Sequence, residues 1–215
     1  MQILTGENLY TGSTTVSGGA LRLDGNGLLG GGVYEGTLEI SNTEIGRSSQ
    51  CIFEHKGDRA QTFNGNITNI TNITNNANVG GSFIQSGTGK SIINNAKDFT
   101  GKVSVWGGFL GGSGDLSKAS FMSVGDTRVG EVGGGDRTNA RGAELTVPNL
   151  SFGASSKLTI TSRPDRTPSL LVVKDKATGA PGAISISKSP FTADVLGGPD
   201  LVSGYVIKCA NGVSD

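Results

Sequence analysis

The sequence predicts an all-β solenoid, a coil in which each turn of chain adds one short strand to the sheet beneath it. Three observations lead there: a glycine excess, apolar triplets of period two, and an internal repeat. Helical periodicity is almost absent.

Glycine supplies 36 of the 215 residues, while aromatic residues make up 6% and charged residues 17%. The glycines are not spaced every third position and proline is scarce, which excludes collagen and Pro-rich disorder. Short apolar pairs separated by Gly, Asn, Ser and Thr instead suggest short strands joined by tight turns.

The triplets carry the strand prediction. Leu21-Arg22-Leu23 and Leu38-Glu39-Ile40 set two aliphatic residues on one side and a charge on the other. Val103-Ser104-Val105, Leu145-Thr146-Val147, Leu158-Thr159-Ile160 and Ile184-Ser185-Ile186 do the same with a hydroxyl opposite. Successive strand side chains face opposite ways, so each triplet offers one apolar face to a core. Segments this short do not stand as ordinary hairpins, but they suit a coil.

The repeat pairs Tyr10-Thr11-Gly12 with Phe99-Thr100-Gly101 at an offset of 89. The same offset pairs Val16 with Val105, Gly18-Gly19 with Gly107-Gly108, and Leu21 with Leu110; a weaker third copy starts at Phe63-Asn64-Gly65. One copy reads as one turn of the coil, with the aromatic and aliphatic residues stacked inward. Residues 1–215 are taken as a single segment with two loop excursions. The first, 64–82, holds the three-residue repeat Ile67-Thr68-Asn69-Ile70-Thr71-Asn72-Ile73-Thr74-Asn75, whose period fits neither strand nor α-helix. The second, 125–142, is polar and Gly-rich and is expected to project from the rod.

Charge and cysteine narrow the function classes. The formal net charge is zero, so no nucleic-acid partner is expected. No run approaches the roughly 18 apolar residues of a membrane span. Met1 is followed directly by Gln2-Ile3-Leu4-Thr5-Gly6, without the basic start and apolar core of a signal peptide, so a secreted reading takes the chain as an internal fragment. Cys51 and Cys209 are too sparse for a disulfide framework and wrongly spaced for zinc, and are expected as two small buried residues. Bridging them requires Cα atoms within about 7 Å, which distant turns of a rod do not supply.

Several motifs approach chemistry without reaching it. Gly25-Asn26-Gly27-Leu28-Leu29-Gly30 fits G-x-G-x-x-G, but Gly31-Gly32-Val33-Tyr34-Glu35-Gly36 is a poor helix former where a dinucleotide site requires a helix. Gly89-Lys90-Ser91 resembles the end of a phosphate loop, yet Ile84 stands where that motif needs Gly. Gly111-Gly112-Ser113-Gly114-Asp115 places its Asp one position early for a calcium nonapeptide and has no tandem copy. Asn66-Ile67-Thr68, Asn69-Ile70-Thr71 and Asn72-Ile73-Thr74 are formal glycosylation acceptors, read here as polar turn residues.

The single histidine, His55, lies in Phe53-Glu54-His55-Lys56-Gly57-Asp58 and is expected in an exposed turn. Asp and Glu are dispersed, with no D-D or D-x-D pair, so a glycan-active enzyme is the weaker alternative. Trp106 and Phe109 flank Gly107-Gly108; Phe109 is expected in the core and Trp106 at a turn edge, the alternative being an exposed recognition spot. No catalytic, cofactor-binding or metal-ligating residue is assigned, and no cofactor is expected.

The segment Leu4-Thr5-Gly6-Glu7-Asn8-Leu9-Tyr10-Thr11-Gly12-Ser13-Thr14-Thr15-Val16-Ser17-Gly18-Gly19-Ala20-Leu21 closely resembles the passenger-associated repeat of autotransporters, L-T-G-x-N-x-Y-T-G-x-T-T-V-x-x-G-x-L. Ala60-Gln61-Thr62-Phe63-Asn64-Gly65-Asn66-Ile67 and Gln85-Ser86-Gly87-Thr88-Gly89-Lys90 are similar to the segments linking such repeats; Ile93-Asn94-Asn95-Ala96-Lys97-Asp98 departs from the motif. The resemblance covers about half the chain. It implies a right-handed single-stranded parallel β-helix of the pectin-lyase-like kind, with protruding loops. At roughly 20–25 residues per rung, that makes about nine rungs.

It also implies part of a larger passenger, secreted or displayed at the surface of a Gram-negative bacterium after passing the outer membrane through its own C-terminal β-barrel. Implied roles are a non-catalytic scaffold or adhesive stalk, with a host-cell or bacterial surface receptor or glycan as partner and a place in virulence. A toxin of the vacuolating type is the other alternative. The family shares no catalytic residues, so none is carried over. Open strand ends are expected to favour self-association.

Overall fold

The computed structural model describes residues 1–41, 51–69, 81–125, 128–136, 143–159, 169–174, 177–179, 185–186, 207–209 and 213–214. Neighbouring strands pair parallel throughout, and each joins the strand that follows it one circuit later in the chain. A nine-stranded sheet runs in chain order through Gln2–Leu4, Ala20–Leu23, Ile52–His55, Ser82–Gln85, Lys102–Val105, Phe121–Val124, Leu150–Phe152, Ala177–Gly179 and Val213–Ser214. A seven-stranded sheet comprises Val33–Tyr34, Ala60–Phe63, Lys90–Ile93, Gly108–Gly112, Gly130–Val132, Ser156–Leu158 and Ser185–Ile186. Two three-stranded sheets, Thr14–Val16 with Leu38–Ile40 and Ile67–Thr68, and Glu144–Val147 with Leu170–Val173 and Ile207–Cys209, and the pair Glu7–Asn8 with Leu28–Leu29 complete the set. The described residues are thus all-β, with no α-helix, an arrangement compatible with a β-solenoid.

Strands of two to five residues persist here because all but those at the sheet ends are hydrogen-bonded on both sides. Ile52 N donates to Gly19 O at 2.9 Å, Ser82 N to Cys51 O at 2.7 Å and Lys102 N to Gly81 O at 3.0 Å, extending one ladder across successive circuits. The period-two triplets do what their spacing predicts. Leu21, Leu23, Leu38, Ile40, Val103, Val105, Leu145 and Val147 are buried, and the residue between each pair is only part-buried. Register turns this alternation into columns. Leu21, Phe53, Phe83, Val103, Met122 and Leu150 stack along the inner side of the nine-stranded sheet. From the seven-stranded sheet Phe63 meets Phe53 and Phe83, with ring centroids 5.6 and 5.5 Å apart in near-perpendicular pairs. Each such ring is worth about 1.5–3 kcal/mol on burial, plus about 0.5–1.5 kcal/mol for the edge-to-face geometry.

The circuits are unequal. Leu21 to Phe53 and Phe53 to Phe83 are steps of 32 and 30 residues, whereas Phe83 to Val103 and Val103 to Met122 are steps of 20 and 19. The long steps contain residues 42–50 and 70–80, which lie outside the described residues. This corrects the repeat. Leu21 and Val103 share a column at a separation of 82, so an offset of 89 lands on a different face. Val16 belongs to a three-stranded sheet and Val105 to the nine-stranded one, while Tyr10 is 42% exposed and Phe99 fully buried. Phe63-Asn64-Gly65 instead stacks directly on Tyr34-Glu35-Gly36, a segment outside the expected repeat. A Cβ at Gly65 would collide with the Gly36 carbonyl, so that corner requires glycine.

Both expected loop excursions contain sheet. Ile67–Thr68 pairs with Leu38–Glu39, so the segment 64–69 stays within the coil. In 125–142, Gly130–Val132 pairs with both Gly108–Leu110 and Ser156–Leu158. The glycines that follow do not project. Gly135 bridges antiparallel to Gly112, with Gly135 N donating to Gly112 O at 2.8 Å, and Gly133 to Gly135 are buried. A side chain at Gly111 would strike the Gly135 carbonyl, so the absence of Cβ atoms is what lets this strap lie flat.

Candidate functional site

Inside the coil, the column two residues beyond Leu21 reads Leu23, His55, Gln85, Val105, Val124 and Phe152. Two polar side chains thus occupy aliphatic positions, and both are fully buried. His55 Nδ1 lies 2.9 Å from Gln85 Oε1 and 3.0 Å from Ser91 Oγ, and the Ser91 hydroxyl donates to Gln85 Oε1 at 2.6 Å. Gln85 Nε2 donates to the carbonyls of Gly87 and Gly89 in the following turn, at 3.1 and 3.3 Å. Gln61 does the same for its neighbour, accepting from Leu29 N at 2.8 Å and donating to Leu29 O at 3.1 Å. Buried side-chain amides therefore satisfy backbone groups that the tight turns leave unpaired.

This overturns the reading of His55 as an exposed turn residue. Period two runs on from Phe53 through Glu54, so His55 points inward despite its charged neighbours. Burial pushes its pKa down from 6.5 to about 4, against the opposing pull of Gln85 and Asp58, so the ring is neutral near pH 7. Its Nε2 is buried without a hydrogen-bond partner. Such a ring is out of reach of an external substrate.

The near-miss motifs resolve as structure. Leu28–Leu29 is a strand followed by a single 3-10 turn at Gly30–Gly32, where the dinucleotide motif needs an α-helix. Lys90 and Ser91 lie in a strand, and Lys90 Nζ donates to the Asp136 carbonyl at 3.2 Å. Asp115 Oδ1 accepts from Ser117 N at 2.8 Å, closing a local turn. Asn69 is a buried clamp rather than a turn residue: its Nδ2 donates to Ile40 O at 2.6 Å and its Oδ1 accepts from Thr100 N at 2.7 Å. Asn66 is part-buried, and Asn72 lies outside the described residues. Cys51 is buried with Sγ 3.2 Å from the Ser41 carbonyl; the side chain of Cys209 is outside the described residues.

On the outside, opposite charges pair between adjacent circuits, Arg22 with Glu54 at 2.7 Å, Lys118 with Asp98 at 3.1 Å and Lys56 with Asp24 at 3.4 Å, and Arg59 reaches across two circuits to Glu7 at 3.2 Å. Among the described residues no three His, Cys, Asp or Glu side chains form a group able to hold a metal ion. A polar ladder climbs one corner. Asn64 Nδ2 donates to Glu35 Oε1 at 2.7 Å, Asn94 Nδ2 to Asn64 Oδ1 at 2.8 Å, and the Ser113 hydroxyl to Asn94 Oδ1 at 3.1 Å.

The outer side of the nine-stranded sheet differs around Lys102–Val105 and Phe121–Val124. Register sets Lys102 opposite Phe121 and Ser104 opposite Ser123, whose hydroxyls are 3.2 Å apart. Trp106 follows, with Gly125 in the equivalent place on the next strand. Trp106 and Phe121 are each 40% exposed, and Lys102 is exposed. Phe109 is fully buried, facing away from the central column of Leu110 and lying beside Gly133 of the glycine strap. Trp106 was legible as an edge residue, but Lys102, Phe121 and Ser123 were not, because cross-strand register is absent from the sequence.

Residues 1–23 match the family described as the passenger-associated-transport-repeat. The match covers those 23 residues and is to an autotransporter passenger repeat. No curated protein and no solved structure matches the chain. The passenger repeat contributes the first two strands of the nine-stranded sheet, with Gln2 in register with Leu21. Its Asn8 ties two circuits together, Nδ2 donating to Gly6 O at 2.9 Å and to Leu28 O at 3.0 Å. Its Thr14 hydroxyl lies 2.7 Å from the Tyr34 hydroxyl and 2.9 Å from that of Tyr10, while Tyr34 also donates to Gly12 O. Val16, Leu21 and Leu23 of the passenger repeat are the residues that enter the core.

Proposed function

We propose that the chain is a non-catalytic structural segment of an autotransporter passenger, exported through the outer membrane of a Gram-negative bacterium and shown at the surface or released. On this reading its parallel strands form a right-handed single-stranded β-helix of about nine rungs. At about 4.8 Å per rung the rod is roughly 40–45 Å long, and it serves as scaffold or stalk for contact with host cells or other bacteria. The observation that carries the reading is the match of residues 1–23 to the passenger repeat, on a chain whose strands stack in sequence order. Two further facts support a non-catalytic role. The only histidine is buried, and the acidic side chains of Glu7, Asp24, Glu54 and Asp98 are each paired with a cation on another circuit.

Small-angle scattering from the purified chain tests the architecture: an elongated particle supports it and a compact sphere sinks it. Incubation with a panel of polysaccharides tests the absence of catalysis, and turnover of any of them would overturn that part.

A further inference from the structure

The outer face formed by Lys102–Val105 and Phe121–Val124 is unlike the rest of the described exterior. On the same sheet Arg22 is met by Glu54 one circuit away, and just past the next strand Lys56 is met by Asp24. Lys102 is exposed and has no such partner among the described residues; the residue opposite it in register is Phe121. Neither strand contains an Asp or Glu. Trp106 is 40% exposed at the end of this strand, and its indole N–H makes no hydrogen bond among the described residues. An exposed indole is an apolar platform with a spare donor.

Register fixes the spacing of these groups. Same-face neighbours along a strand are about 6.6 Å apart and adjacent strands about 4.8 Å. The surface therefore runs from the cation and ring of Lys102 and Phe121, through the Ser104–Ser123 hydroxyl pair, to the indole of Trp106, spanning about 13 Å. It offers two apolar platforms, a central pair of hydroxyls that both donate and accept, and one uncompensated positive charge.

We propose that this face binds a short acidic oligosaccharide, one bearing a uronate or other sugar carboxylate. Sugar rings lay their C–H faces on Trp106 and Phe121, ring hydroxyls exchange hydrogen bonds with Ser104 and Ser123, and the carboxylate pairs with Lys102. A single lysine on a chain of zero net charge does not serve a polyanion such as nucleic acid. A face two strands wide falls short of the roughly 800 Å² per partner of a stable protein interface. The assignment deepens the surface-stalk reading by naming what the stalk touches, and it rests on that reading for its biological setting.

The test is calorimetric titration of the whole chain with trigalacturonate and sialyl-lactose, beside the neutral cellotriose and lactose. Binding of one or both acidic sugars, with neutral ones weaker, is expected. Trp106→Ala should weaken the acidic ligand about tenfold or more, as for an aromatic anchor. Lys102→Gln should bring acidic and neutral affinities together, and Trp106→Phe should retain part of the binding. Circular dichroism and the thermal midpoint identify any variant that fails to fold, in which case Lys102→Gln, a surface change, decides the matter. Failure to bind any of the four sugars, equal binding of acidic and neutral ones with Lys102→Gln silent, or an unaffected Trp106→Ala would each overturn the proposal. A rod-shaped particle that binds no sugar leaves the stalk reading standing; a sphere that binds the acidic sugar removes the stalk and keeps the site.

Discussion

The circuits around His55 and Gln85 and those around Val105 and Val124 solve one problem in two ways. In both, a tight turn leaves the nine-stranded sheet and strands backbone carbonyls near the core. In the first region, Gln85 and Gln61 reach back from buried positions to bond those groups, and His55 and Ser91 complete the cluster. In the second, the turns close on themselves and on the ladder. The ladder bonds Gly125 N to Val105 O and Gly153 N to Val124 O, both at 2.8 Å, have counterparts in the first region such as Ser86 N to His55 O at 2.9 Å. What differs is the local help, here the Ser156 hydroxyl donating to Gly153 O at 2.6 Å. The core column is then free to be Val105, Val124 and Phe152. A polar residue in the column thus goes with a turn that needs help, and stability there depends on complete pairing rather than on area alone.

That contrast can be broken experimentally, beginning with its largest expected effect. Phe83→Ala removes the ring that joins Phe53 and Phe63 and should cost about 3–5 kcal/mol in denaturant melts. A loss below 1 kcal/mol would mean that the aromatic cluster does not hold the long circuits together.

Acid should separate the two regions next. His55 titrates near 4 when folded and at its ordinary 6.5 when unfolded, so the unfolded chain binds the extra proton between those values. Its contribution is complete above pH 6.5, falls as pH drops toward 4, and stays flat below; the total is about 3 kcal/mol. His55→Leu should flatten that segment of the stability–pH curve, and an unchanged slope in the variant would sink the assignment.

Gln85→Ala follows. It leaves the carbonyls of Gly87 and Gly89 without their side-chain donor and should cost about 1–3 kcal/mol by thermal melt. Added to His55→Leu, its cost should fall short of additive, because the two side chains share a bond. At the small end, Arg59→Ala breaks a pair in which both side chains are over 40% exposed. It should shift stability by less than about 1 kcal/mol, and high salt should erase the difference.

The strand set was largely legible, because period two survives in three residues: Val103-Ser104-Val105 was enough to fix a strand and its buried face. His55 was misjudged although the same rule applied to it. Glu54 and Lys56 beside it suggested solvent, but flanking residues on a strand face the other way. The run Gly130 to Asp136 was misjudged for a different reason. Glycine signals a turn by its freedom of φ, yet it also permits backbones to lie closer than any side chain allows, and composition does not separate the two. Of the candidate face, only Trp106 was visible, since the alignment of Lys102, Phe121 and Ser123 follows from circuits of unequal length. The interior clamps of Asn69, Gln61 and Gln85 were hidden because polar residues in a coil-rich sequence read as surface.

The ladder from Glu35 to Ser113 has one more property: it points. A side-chain amide can sit either way round, but the Glu35 carboxylate only accepts, so Asn64 must present its NH2 to it, and Asn94 must then do likewise to Asn64. One fixed charge thereby sets the sense of every amide above it, much as a keystroke at the bottom of a stack sets each line that follows. Conversion of Asn64 to Asp would place two carboxylates face to face, and the fault would be inherited by the circuits beyond.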